Sequence, residues 1–123
     1  MIKGVGIDIV SIARVQDALD RTPGFAERIL IASELQKMAE VRQKTHFLAK
    51  RFAAKEALVK ALGNGIGGGL SWHQIEVYND DKGAPHLRLS GTARELMQAM
   101  SATESHLSLS DEQDNAIAFV VLS

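Results

Sequence analysis

The run FLAKRFAAKEALVKAL, residues 47–62, followed at once by GNGIGGG, constrains this chain more than any other stretch. At about 100° per residue, Phe47, Leu48, Phe52, Leu58, Val59 and Leu62 fall on one arc, the mark of a long amphipathic helix that needs an apolar partner. Gly63 suits the left-handed position that ends a helix, and Thr45 suits its cap. Lys55 falls inside the apolar arc, while Glu56 and Lys60 lie at its edge, one turn apart. Two readings fit that pattern. One is a surface ion pair between Glu56 and Lys60, with Lys55 snorkelling along the apolar face. The other is a carboxylate for a hard metal with ammoniums for phosphate oxygens, since a charge taken out of water needs a partner.

The partner of that helix is read from the rest of the chain. Residues 2–10 alternate as a strand does, with Val5, Ile7 and Ile9 on one face and Gly4, Gly6, Asp8 and Val10 on the other. Ser11 reads as the cap of a helix whose stripe is Ile12, Val15 and Leu19. Pro23 suits the first turn of a short helix through Leu30, and Ser33 with Gln36 resembles a capping box for a helix to about Arg42. SWHQIEVYN and HLRLS read as strands about the turn DDKGAP, TARELMQAM as a helix, and SHLSLS and NAIAFVVLS as strands about DEQDN. The order is β-ααα-ββ-α-ββ with one long central helix. Hairpin connections favour an antiparallel sheet packed against helices, hence an α+β fold. A chain of 123 residues with 46% apolar content is expected to form one domain over 1–123.

Function classes can be excluded before any are proposed. There is no cysteine, so disulfides and thiolate metal sites are absent and a reducing cytoplasm is the natural setting. A formal charge of −1 gives no bulk attraction to nucleic acid or membrane. MIKGVGIDIV lacks the pattern of a signal peptide, and no apolar run approaches the ~20 residues that span a bilayer. His46, His73, His86 and His106 show no zinc-ligand spacing, and Ser108 and Ser110 lack the surroundings of a nucleophile elbow. Gly63, Gly65 and Gly68 spell G-x-G-x-x-G, yet they end a helix and lead to a strand, the reverse of a dinucleotide fingerprint. What the loop permits is close approach of a bulky ligand to backbone amides.

Two clusters remain. Asp8 shares its strand face with two glycines, which leave space beside its carboxylate; a half-buried structural aspartate and a second metal ligand are both compatible with that placement. With Glu56 it would make an oxygen-only pair suited to Mg²⁺, which typically uses one or two carboxylates with waters and phosphates. Arg14 and Arg21 share one face of the first helix, with Arg28 shortly beyond, either as a solvated basic face or as a dock for an acidic protein.

GVGIDIVSIARV and FLAKRFAAKEALVKALGNGI resemble the two signature segments of the holo-acyl-carrier-protein synthases, the small bacterial-type 4′-phosphopantetheinyl transferases, and the likeness runs over residues 2–121. The resemblance implies transfer of the 4′-phosphopantetheine arm of coenzyme A to a serine of apo acyl carrier protein, in support of fatty acid biosynthesis. It implies Mg²⁺ held by Asp8 and Glu56, with Lys60 on the coenzyme A pyrophosphate as a third catalytic group. It assigns Lys55, Gly63, Gly65, Ile66 and His106 to coenzyme A, and Arg14, Arg21 and Arg28 are the candidate contacts to the carrier. It also implies a homotrimer with active sites between subunits, so that His106 serves a neighbour's ligand. The general base, Glu56 or a metal-held water, is left open. A non-catalytic coenzyme A-binding module would gain nothing from paired carboxylates, and a purely structural oligomer would need no ligand.

Overall fold

The computed structural model describes residues 1–123. Strand β1 (Gly4–Ser11) leads through four helices, α1 (Ile12–Arg21), α2 (Phe25–Ile29), α3 (Ala32–Glu40) and α4 (Lys44–Leu62). A 3₁₀ turn at Trp72–Gln74 precedes the hairpin β2 (Ile75–Asn79) and β3 (Pro85–Leu89). Helix α5 (Gly91–Ala99) and strands β4 (Ser105–Asp111) and β5 (Asn115–Leu122) complete the chain. The strands form two antiparallel sheets, β1-β5-β4 and β2-β3. The α+β class and the order of elements are those expected, with the three shorter helices α1–α3 and then the long central helix α4 before the hairpin, and no helix is long and apolar enough to cross a membrane.

Helix α4 is the centre of the molecule. Leu48, Ala49, Ala53, Ala54, Ala57 and Leu58 are fully buried in one core with Val120 and Leu122 of β5 and Ile75 and Val77 of β2. Gly63 ends α4 in the left-handed conformation at φ 75°, its amide donating to Val59 and Lys60 carbonyls. Arg51 fastens the hairpin to α4: its guanidinium lies 4.4 Å above the Phe47 ring and donates to Asn79 Oδ1 at 3.0 Å.

Helix α4 and strand β1 pack backbone against backbone. A Cβ on Gly6 would collide with the Ala57 carbonyl, and one on Gly4 with the Ala61 carbonyl. The glycines therefore do not leave space beside Asp8, as the sequence suggested; the α4 backbone fills it. The opposite face of β1 is bare. Val5, Ile7 and Ile9 are 55–63% exposed, and the paired β5 residues Ile117 and Phe119 continue the patch. Alternation in the sequence separates two faces but does not say which one meets the helix.

Several local boundaries differ from the sequence reading. Ser11 caps α1 by accepting from the Arg14 amide. Ser33 does not cap α3: the helix starts at Ala32, and Glu34 takes the capping role by accepting from the Ile31 amide at 3.0 Å. Thr45 lies inside α4, where its hydroxyl donates to Gln16. Ser71 caps the 3₁₀ turn rather than opening a strand, so β2 begins only at Ile75.

Candidate active site

Asp8 projects from the glycine face of β1, and the tight β1–α4 packing brings it to the edge of α4 that carries Glu56 and Lys60. Lys60 Nζ donates to Asp8 Oδ1 at 2.9 Å and to the Ile7 carbonyl at 3.0 Å. Its partner is thus a carboxylate on another element, not Glu56 one turn away. The Asp8 side chain is 15% exposed and that of Lys60 53%, so this pair sits at a rim, open to a ligand from the lysine side.

Asp8 and Glu56 both line a cleft of ≈ 280 Å³, walled by Ile9, Val10, Val15, Phe25 and Phe52 and bordered by Ser11 and Arg14. The lining thus combines two carboxylates with five apolar side chains. Burial, and then the nearby Asp8 carboxylate, raises the Glu56 pKa above its ordinary value, with Lys60 opposing the shift. Two carboxylates close enough to disturb one another are a donor set that gains from a cation. Phe52 packs edge-on to Phe25 at 6.3 Å and to Trp72 at 5.5 Å, which stiffens the apolar wall.

The remaining candidates divide. Gly63, Gly65 and Ile66 follow directly on the end of α4 that carries Lys60. A Cβ at Gly63 or Gly65 would meet nothing within 4 Å, and Ile66 is 41% exposed, so this stretch presents open backbone. Arg14 borders the cleft itself. Arg21 is exposed and pairs with Asp17 within α1 at 3.0 Å, and Arg28 is exposed on α2. His106 lies on β4, paired in register with Val121, which in turn pairs with Val5. It therefore belongs to the bare sheet face, away from Asp8, and its Nε2 shares a hydrogen bond with Ser123 Oγ at 3.1 Å.

Lys55 is a correction. The sequence reading gave it to coenzyme A, but it is wholly buried and bonded to Glu34 Oε1 at 2.7 Å, the Ile29 carbonyl at 2.7 Å and the Trp72 carbonyl at 3.4 Å. An ammonium has three hydrogens, and all three are engaged. Burial pushes the Lys55 pKa below the ordinary lysine value, against the pull of Glu34. Glu34 itself was missed. The one sequence signal for it was its place three residues after Ile31, hidden because an isoleucine is no cap and the nearby Ser33 looked like one.

Residues 4–120 match the family model described as the 4′-phosphopantetheinyl transferase superfamily. A holo-[acyl-carrier-protein] synthase of Vibrio vulnificus (strain CMCP6) is 50% identical over 121 residues, covering 98% of this chain and 96% of its own. Among solved structures, the holo-[acyl-carrier-protein] synthase of Neisseria meningitidis matches with a TM-score of 0.90 at 38% identity, over 100% of this chain and 99% of that one. That of Bacillus anthracis, solved in complex with CoA (3′,5′-ADP), matches at 0.84 and 42% identity over 99% and 96%.

The raised Glu56 pKa carries a cost that depends on pH. Because the folded protein holds this proton more tightly than the unfolded chain, stability falls as pH rises from the ordinary value of 4.5 through the raised one, and the loss is complete above it. Glu56→Gln removes that loss. In metal-free buffer the variant melts higher than the parent at neutral pH, and its advantage disappears at acid pH below the ordinary glutamate range. A parent that melts higher at neutral pH contradicts the assignment of Glu56 to a strained carboxylate pair.

Proposed function

The chain belongs to the 4′-phosphopantetheinyl transferase superfamily, and from that premise we infer that it is a holo-[acyl-carrier-protein] synthase, moving the 4′-phosphopantetheine group of coenzyme A onto a serine of apo acyl carrier protein and releasing adenosine 3′,5′-bisphosphate. The observation that carries this reading is the meeting of Asp8 and Glu56, from two different elements, in one cleft that Arg14 borders, with Lys60 bonded to Asp8. A module that merely held the nucleotide would gain nothing from a second carboxylate that raises the cost of ionising Glu56.

The donor set fits Mg²⁺. It offers oxygen only, two carboxylates, and a repulsion that a divalent cation relieves. Asp8 and Glu56 would hold the ion, which when bound would stabilise negative charge on the phosphate oxygens of coenzyme A. Lys60, half exposed and bonded to Asp8, would offer its ammonium to the pyrophosphate. Gly63, Gly65 and Ile66 give the nucleotide an open stretch of backbone beyond Lys60. Phe25, Phe52 and Val15 line the same cleft and would keep water from the pantetheine arm, while the carrier serine meets the phosphate beside Asp8 and Glu56. Rate then comes from positioning and fixed charge, as in other phosphoryl transfers.

Arg14, Arg21 and Arg28 give the acidic carrier a basic face that leads to this cleft. The bare face of Val5, Ile7, Ile9, Ile117 and Phe119 is the surface by which copies associate, because monomers rarely leave such a contiguous patch to water. We assign it to a homotrimer. His106 lies on that face and would reach a neighbour's nucleotide. A cytoplasmic setting and a supply role in fatty acid biosynthesis fit a cysteine-free transferase of this kind.

Mass spectrometry of apo carrier protein after incubation with the enzyme, coenzyme A and Mg²⁺ is expected to read the added mass of one phosphopantetheine. Asp8→Asn and Glu56→Gln slow the transfer by about 10²–10³-fold, the usual size for one electrostatic contact in a transition state. Arg21→Glu raises the carrier-protein KM and leaves that of coenzyme A unchanged. No mass gain with the parent enzyme overturns the function; near-normal rates in both carboxylate variants overturn the site; an unchanged carrier KM moves docking to another face.

Sedimentation equilibrium at micromolar concentration is expected to give the mass of three chains, and Phe119→Asp to reduce it. A single-chain mass for the parent protein contradicts the trimer.

A further inference from the structure

We infer that the buried pair of Lys55 and Glu34 is a positioning device that sets helix α2, and with it the carrier-facing wall of the cleft, relative to Glu56; this rests on the transferase reading above. Five hydrogen bonds converge on the pair. Lys55 Nζ reaches Glu34, the Ile29 carbonyl and the Trp72 carbonyl, and Glu34 also accepts from the Ile31 amide at 3.0 Å and the Val77 amide at 2.9 Å. The elements tied together are α4, the end of α2, the start of α3, the 3₁₀ turn and β2.

Helix α2 needs such ties. It spans five residues, Phe25–Ile29, and a helix that short has no stability of its own. The Ile29 carbonyl, at its last residue, has no acceptor role left within the helix, and Lys55 fills it. A second tie comes from outside the core: His73 Nε2 lies 2.7 Å from the Glu27 carbonyl. Thus α2 is held from α4 at one point and from the 3₁₀ turn at another. It presents Phe25 to the cleft that Asp8 and Glu56 line, and Arg28 to solvent on the candidate docking side.

Lys55 and Glu56 are neighbours on α4, and about 100° of helix separates their directions. One points inward to α2 and Glu34, the other out to Asp8. The gap between the α2 wall and the carboxylate that serves the reaction is therefore measured by a single rigid turn of α4. Stability alone does not call for a charged pair here, because apolar replacements of a buried ion pair are often as stable or more so. Such a replacement keeps volume but loses the directional bonds to the Ile29 and Trp72 carbonyls.

The test uses two variants of the full chain. Lys55→Met with Glu34→Gln removes both charges together, so no unpaired charge is left in the core. His73→Ala removes the second tie at an exposed side chain. Both are expected to keep the fold and to lower kcat/KM for carrier protein, by about tenfold or more in the double variant, since small misplacements are costly. The carrier-protein KM rises while the KM for coenzyme A stays within about twofold; a general loss of folded protein would instead lower the apparent kcat and leave both KM values unchanged. Amide exchange in α2, read at Leu30, whose amide bonds to the Ala26 carbonyl, speeds up in both. A folded double variant with parental carrier kinetics, a coenzyme A KM rising in step, or an unchanged His73→Ala overturns the inference. Should the parent transfer nothing, the transferase reading fails; α2 exchange then decides the ties alone, and parental exchange in His73→Ala sinks them.

Discussion

The rest of the structure depends on how closely the backbone of α4 lies against β1. Only glycine at positions 4 and 6 permits it, because a Cβ at either would enter a carbonyl of α4. This approach brings together two side-chain sets from distant parts of the chain. Asp8 comes from the strand, and Glu56 and Lys60 come from the helix. An ordinary helix-on-strand spacing would hold Lys60 away from Asp8, where it now bonds at 2.9 Å. The glycines are a packing feature first and a functional one through it.

The same constraint organises the other face of the sheet. With the glycine side committed to α4, the larger residues Val5, Ile7 and Ile9 are turned outward beside Ile117 and Phe119. An apolar strand face that does not enter the core is a surface waiting for another surface. Inside, the charges are treated differently according to place. Lys55 and Glu34 are removed from water and fully bonded, so they hold geometry. Asp8 and Glu56 stand half-buried in one cleft, where Asp8 adds to the cost of ionising Glu56, and it is to them that we assign the reaction. Stability given up at Glu56 is the usual trade at a site that must stabilise charge elsewhere.

Much of this was legible in the sequence, and the limits have physical causes. Gly63 as the end of α4 and Ser11 as the cap of α1 were readable because caps are local. Asp8 and Glu56 stood out because each is a carboxylate on an otherwise apolar or small face. The role of Gly4 and Gly6 was not readable: missing side chains leave room for either a ligand or a backbone, and a single sequence does not distinguish them. Lys55 was misassigned because its partner lies on α3, and no periodicity links residues brought together by tertiary packing. Ser33 and Thr45 were plausible caps whose hydroxyls instead bond to Glu76 and Gln16.

The measurement that bears most directly on this account is the stability of Gly6→Ala beside Gly65→Ala, by chemical denaturation. Gly65 has neither a positive φ nor a neighbour that a Cβ would meet, so its substitution is expected to change stability by no more than about 0.5 kcal/mol. Gly6→Ala is expected to cost about 3 kcal/mol or more, or to prevent folding, since the added methyl must push the α4 backbone off β1. A Gly6→Ala protein as stable as the parent would contradict the claim that this close approach builds the site.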